Sequence, residues 1–163
     1  MAELSVQTVD LRMRTPLKAA WGELVERKLL TVRVDFGGDD FGEGDYGEGE
    51  AAPLEAYDGV SFAAVWAALD AYAAVLARAS PRSTHAELLA ACAAERPLAQ
   101  ALAAVDLALW DRAGRRTGFP VAQLIAAGAV PSIAVNATIG ALARTGMLQL
   151  VFCALLSAGI LAS

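Results

Sequence analysis

A chain of 163 residues has room for one ordinary domain, or for one domain and part of a second. With 56% apolar residues and a mean hydropathy of +0.46, it can bury a sizeable core and lacks the composition of a disordered chain. The net charge is −5 and no basic run exceeds a pair such as Arg115-Arg116, which argues against a nucleic-acid partner.

Residues 3 to 14 alternate between apolar and polar, with a phase slip near Gln7-Thr8 that a β-bulge would explain. Residues 28 to 36 alternate cleanly, with Leu30, Val32, Val34 and Phe36 on one face, as in a half-buried antiparallel strand. Gly37-Gly38-Asp39-Asp40 reads as a turn, and Tyr46 to Ala51 as a returning third strand. The period then changes. Phe62, Val65, Trp66, Leu69, Tyr72 and Leu76 mark an amphipathic helix from about 61 to 79, ended by Ser80-Pro81. Thr84-x-x-Glu87 has capping-box form and opens a shorter helix carrying Leu88, Leu89 and Cys92. Pro97 suits the first turn of a third helix, whose stripe is Leu98, Leu102, Val105 and Leu109. A short helix holds Val121, Leu124 and Ile125, and SIAVNATIG (132–140) reads as a buried strand.

Two features that could carry chemistry fail on context. Gly42-x-Gly44-x-x-Gly47 has dinucleotide-loop spacing, but no helix follows to turn its amides toward a phosphate. Four carboxylates (Glu43, Asp45, Glu48 and Glu50) would also repel one. A calcium loop begun at Asp35 lacks the acid at position 3, the glycine at 6 and the glutamate at 12, so these acids read as a solvated turn. His85, the only histidine, is expected to be exposed, and Trp66 and Tyr72 are expected in the core. Asp106 lies beside an apolar stripe and needs a partner. Cys92 and Cys153 match no metal or redox spacing and read as reduced thiols of a cytoplasmic protein. The charged N-terminus has no signal-peptide core.

Several segments taken in order point to a family. Thr15-Pro16-Leu17-Lys18 leads to Trp21-Gly22, then Arg27 to Val34, then Gly47-Glu48-Gly49-Glu50-Ala51-Ala52-Pro53 and Tyr57. AVDLALWDRAGRRTGFPVAQLI (104–125) and SIAVNATIG follow. This order resembles the N-terminal capping domain of the enolase superfamily, in its muconate-lactonizing-enzyme subgroup, over residues 3 to about 141. Val135-Asn136-Ala137-Thr138-Ile139 is most similar to o-succinylbenzoate synthases, with muconate cycloisomerases and dipeptide epimerases as alternatives.

The resemblance implies an α+β fold: a three-stranded antiparallel meander and a helical bundle over 1–130, then the first strand of a TIM barrel at 131–140. It implies Mg²⁺ in the full-length family, and dehydration of a small carboxylate substrate through an enediolate, a step of menaquinone biosynthesis. It also implies two substrate-covering loops, Thr15 to Gly22 and Ala51 to Tyr57. Substrate contacts would fall on Pro16, Trp21, Ala52, Pro53, Tyr57, Asn136 and Thr138. The family's K-x-K motif occurs nowhere, no acid follows Asp111, and a barrel needs about 200 residues or more. Catalytic residues, metal ligands and a bound metal are therefore not expected in these residues, and 141–163 reads as an apolar tail outside the family, from a truncated enzyme that is inactive alone. Met147 to Ala162 carries no charge but is shorter than the roughly 20 residues that span a bilayer. A non-catalytic interaction module, self-associating through 132–140 and the tail or touching a membrane with the tail, is the competing reading.

Overall fold

The computed structural model describes residues 2–19, 22–37, 44–80, 82–130 and 132–135. Three strands, β1 (Glu3–Ala19), β2 (Gly22–Asp35) and β3 (Tyr46–Ala51), form an antiparallel meander in the order β1-β2-β3. Among the described residues five helices follow: α1 (Glu55–Asp58), α2 (Phe62–Arg78), α3 (His85–Glu95), α4 (Ala99–Thr117) and α5 (Val121–Ile125). The expected α+β meander and bundle are what the chain builds.

The alternation of β2 sets the core. Leu30, Val32 and Val34 point to one face and are fully buried, while Thr31, Arg33 and Asp35 point to the other. Val65, Leu69, Tyr72 and Leu76 of α2 meet that inner face together with Ala101, Ala104, Val105 and Ala108 of α4. Each large aliphatic side chain so buried contributes about 1.5–3 kcal/mol relative to exposure. The Tyr72 hydroxyl donates to the Arg96 carbonyl, which lets a phenol sit in this core and fixes the turn into α4. Trp66, expected in the core with Tyr72, is instead 42% exposed and leans on the Phe62 ring 6.4 Å away.

Helix ends follow local chemistry. The Ser61 hydroxyl accepts the Ala64 amide at the start of α2. At α3 the capping box closes in both directions: the Thr84 amide donates to Glu87 at 2.8 Å, and the Glu87 amide to Thr84 Oγ1 at 3.3 Å. Gly118, at φ 72°, ends α4 in the left-handed conformation that glycine adopts without a Cβ penalty. Pro97 lies before the N-cap Leu98 rather than in the first turn of α4.

Gly47 and Gly49 are the tightest points of the fold. They sit opposite Val34 and Val32 on the inner face, where α4 crosses β3. A Cβ on Gly47 would lie 1.8 Å from the Ala108 carbonyl oxygen, and one on Gly49 would lie 2.0 Å from that of Ala104. Helix and strand thus meet backbone to backbone, with Ala101, Ala104 and Ala108 supplying the small side chains this needs. The glycine motif is a packing seam.

Two expectations are corrected. The acids beside these glycines are not all solvated: Asp45 is 8% exposed, and Arg112 grips it with two bonds of 2.7 Å. Arg112 also stacks on Phe36, while Arg33 and Arg115 both lie over the Tyr46 ring. The Arg112 hydrogen bond is the largest of the effects that hold the Asp45 carboxyl below its ordinary range, outweighing its desolvation. His85 is not a free surface residue either. Its Nε2 lies 2.6 Å from Asp106 Oδ1 and its ring meets Trp110 edge-on at 4.8 Å, so Asp106 finds the partner it needs.

Candidate functional site

The site the sequence points to is the end of the sheet where β3 stops. Ala51 pairs with Leu30, and beyond that point β2 continues from Leu29 back to Gly22 with β1 as its only partner among the described residues. These eight residues of β2 make a two-stranded ribbon about 26 Å long. Leu29 at its base is buried, but farther along its apolar side chains are only partly covered: Leu11 is 44% and Val25 40% exposed.

The irregularity in β1 falls on this ribbon, not at Gln7-Thr8. Pairing is regular from Glu3↔Asp35 to Arg12↔Glu26 and resumes at Leu17↔Leu24. Met13 to Pro16 therefore bulge opposite Val25 alone. Pro16 has no amide hydrogen to give a ladder, so a bulge near the ribbon tip suits it. Its side chain is exposed. The expected loop from Thr15 is thus strand through Ala19, which pairs with Gly22 of β2. Trp21 lies outside the described residues.

The second predicted segment leaves β3 at the same end. Arg27 Nη2 donates to the Ala52 carbonyl at 2.9 Å and ties the segment to the ribbon base. Pro53 is buried, and a cavity of about 120 Å³ separates Pro53 to Glu55 from Glu26 to Lys28. The chain then closes into the single turn α1, held by one side chain. The Asp58 carboxylate accepts the Leu54 amide at 3.1 Å, the Val60 amide at 2.9 Å and Gln100 Nε2 at 3.2 Å. These hydrogen bonds, that from Val60 first, hold its carboxyl below the ordinary range. Tyr57 projects from the turn and is 74% exposed.

Pro16, Ala52, Pro53 and Tyr57 therefore share one end of the molecule. Pro53 sits at the ribbon base, and Pro16 lies in the bulge about 10 Å further along. Asn136 and Thr138 lie outside the described residues; Ser132 to Val135 form no strand and are exposed, with no neighbouring strand to pair with among the described residues. Sequence reasoning missed Arg27, Asp58 and Gln100, which hold the 52–60 segment in place. The Asp58-Gly59 dipeptide was the available signal, since it marks a turn.

The acids of the described residues do not fit a metal centre. No group of three metal-ligating side chains comes together among them. Asp45 is committed to Arg112, Glu48 to Arg33 and Arg115, Asp111 to Arg115, and Asp106 to His85. At the same end Lys28 lies 3.6 Å from Asp10 on the ribbon and Asp58 is taken up by amides, so what this end offers is to cover and shape a space. Among the described residues, no helix is long and apolar enough to cross a membrane.

Comparison with known proteins agrees with this geometry. The sequence pattern of the "Mandelate racemase / muconate lactonizing enzyme, N-terminal domain" matches residues 1–126. No curated protein matches the chain. Among solved structures, a protein assigned to the mandelate racemase/muconate lactonizing enzymes of Roseovarius nubinhibens superposes with a TM-score of 0.75 at 23% identity, over 92% of this chain and 40% of that one. A dipeptide epimerase from Enterococcus faecalis, solved with Mg and L-Leu-L-Tyr, gives 0.64 at 19% identity over 75% and 33%. The substrate-liganded L-Ala-D/L-Glu epimerase from Bacillus subtilis gives 0.62 at 23% over 76% and 33%. The chain thus spans between a third and two fifths of the length of these proteins.

Proposed function

The chain belongs to the mandelate racemase / muconate lactonizing enzyme family, whose N-terminal domain it carries, and from that premise we propose that it is the substrate-covering cap of an enzyme that removes a proton next to a carboxylate. The observation that carries this reading is the common end. A partly covered ribbon and an Asp58-clamped turn project side by side where the sheet has lost its third strand. Such a pair can lie over a substrate and keep water from it. Pro16, Trp21, Ala52, Pro53 and Tyr57 are the proposed contacts, with Asn136 and Thr138 at the mouth of a first barrel strand (131–140) that follows the cap (1–130).

The division of labour follows from composition. The only lysines are Lys18 and Lys28, and no acid follows Asp111. The acid, the base and the ligands of a metal that would stabilise an enediolate therefore belong to a barrel outside these 163 residues. The cap's part is to bind and orient. A dipeptide is the favoured substrate class, supported by the likeness to epimerases solved with dipeptides. Dehydration to o-succinylbenzoate is the second reading, supported by Val135 to Ile139.

The test joins residues 1–130 to the barrel of the Bacillus subtilis epimerase and follows α-proton exchange of dipeptides in deuterated water. Turnover is expected, and Tyr57→Ala should raise KM more than it lowers kcat. Exchange catalysed by the 163-residue chain alone would refute the division of labour, and a chimera indifferent to Tyr57→Ala would refute the covering role. Turnover of the dehydration substrate but not of dipeptides would transfer the assignment to the second reading.

A further inference from the structure

Charge is spread unevenly over the chain. From Asp10 to Lys28, which pair across the base of the two-stranded ribbon, there are five basic and three acidic side chains, a net of +2. The whole chain carries −5, so its other residues carry −7. Among the described residues, Lys28 alone of the five has a carboxylate within 4 Å, that of Asp10 at 3.6 Å. Glu26 and Glu23 stand opposite Arg12 and Lys18 in the register, and Glu55 shares the 120 Å³ cavity with Arg27, yet none of them forms an ion pair. At the other end of the sheet Arg33, Arg112 and Arg115 each have a carboxylate partner.

Arg27 gives this excess a focus. Its side chain is partly buried: Nη2 donates to the Ala52 carbonyl at 2.9 Å, and the adjacent Nε is buried without an acceptor among the described residues. Water screens such a cation less than an exposed one. Register keeps the others near: Arg12 follows Leu11, the partner of Arg27, Arg14 lies in the bulge opposite Val25, and Lys18 faces Glu23. From Arg27 to Glu23 is about 13 Å of strand, short against a Debye length of about 30 Å in dilute salt and longer than that of about 8 Å at physiological salt. In dilute salt these charges act as one positive field.

We propose that the ribbon from Asp10 to Lys28 collects a small dianion, and that the substrate beneath the cap is a dicarboxylate. On the reading above, the reacting carboxylate belongs to a metal held outside these residues, so the charge that the ribbon attracts is a further one. Among dipeptides, that class is those with an acidic side chain. That the dianion is a substrate rests on the covering role; the attraction itself belongs to the 163-residue chain and is measured on it.

Glutarate and butyrate, which differ by one carboxylate, serve as probes, and NMR follows the amide and arginine Nε shifts of the native chain. Expected are shifts centred on 10–28 and an apparent affinity for glutarate about fivefold above that for butyrate in dilute salt, a preference that shrinks severalfold at physiological salt. Arg12→Gln with Arg14→Gln should abolish the preference while the circular dichroism melt stays in place, and Arg14→Gln alone gives the same comparison if the double variant does not fold. Equal affinity for the two probes, shifts centred on Arg33 and Arg115 instead, or a preference untouched by these substitutions would each overturn the proposal. A chimera that exchanges dipeptides beside a ribbon without the preference would show the dicarboxylate class to be what failed; the reverse pair of results would sink the covering role, and the substrate with it.

Discussion

Replacing Gly47 by Ala tests whether the glycine motif is a packing seam. The added methyl would meet the Ala108 carbonyl oxygen at 1.8 Å, the Arg112 amide nitrogen at 2.6 Å and the Ala108 carbonyl carbon at 2.9 Å. All three are backbone atoms of α4, so no rotamer change relieves the clash and the helix must retreat by on the order of 1 Å. That retreat opens the contacts of Ala104, Val105 and Ala108, each fully buried. Overpacking of this kind costs about 1–3 kcal/mol and sometimes more, while losing a glycine from the unfolded chain returns only about 0.4–1 kcal/mol. A net loss of about 1.3 kcal/mol is expected, which for a urea slope of about 1.5 kcal/mol/M lowers the midpoint by about 0.9 M. Gly128→Ala is the control, since nothing lies within 4 Å of its Cβ position and its φ is not positive. A Gly47→Ala midpoint indistinguishable from that of Gly128→Ala would refute the seam.

Asp45→Asn should cost about 2–4 kcal/mol, because it leaves the Arg112 guanidinium largely buried without its counter-charge. The folded-state pKa of Asp45 is depressed, so its contribution is complete above the unfolded value of about 3.9 and is lost as pH falls through the lower folded value; urea midpoints below pH 4 should slope less in the variant. Thr84→Ala removes one half of the α3 capping box and should cost about 1 kcal/mol in the same unfolding assay. Arg27→Ala frees the Ala52 carbonyl, and amide exchange across 52–58 should accelerate severalfold while that of α2 is unchanged.

The fold was legible wherever the determinant is local. The alternation of Leu30, Val32 and Val34, the Thr84-x-x-Glu87 cap and the 61–79 stripe each act within a few residues; α2 and α3 form where they place them, while β2 begins at Gly22, six residues before the expected start at Lys28. The misreadings of Asp45 and His85 share one cause, a partner far along the chain. Gly47 reads only as part of a third strand until Ala108 is brought against it, and Asp45 looks solvated until Arg112 arrives from 67 residues away. His85 and Asp106, 21 residues apart, concealed their pairing in the same way. The bulge had a local signal, since Pro16 cannot serve a ladder, but the phase slip at Gln7-Thr8 drew the reading away. At the candidate site, family likeness named the covering residues, whereas Arg27, Asp58 and Gln100 act through bonds to backbone or to one another that no motif records.

The ribbon has a consequence for how such a protein can change. From Gly22 to Glu26 and from Leu11 to Ala19, no described residue is buried in the core that holds the sheet to its helices. A two-stranded ribbon of this kind is marginal by itself and takes its order from whatever it rests on. Substitutions there are nearly decoupled from global stability: they can change the ribbon's surface while Val32, Tyr72 and the alanine seam keep the fold. The stretch proposed to cover a substrate and the stretch that holds the fold are separate parts of one hairpin, with Leu30 at the boundary between them.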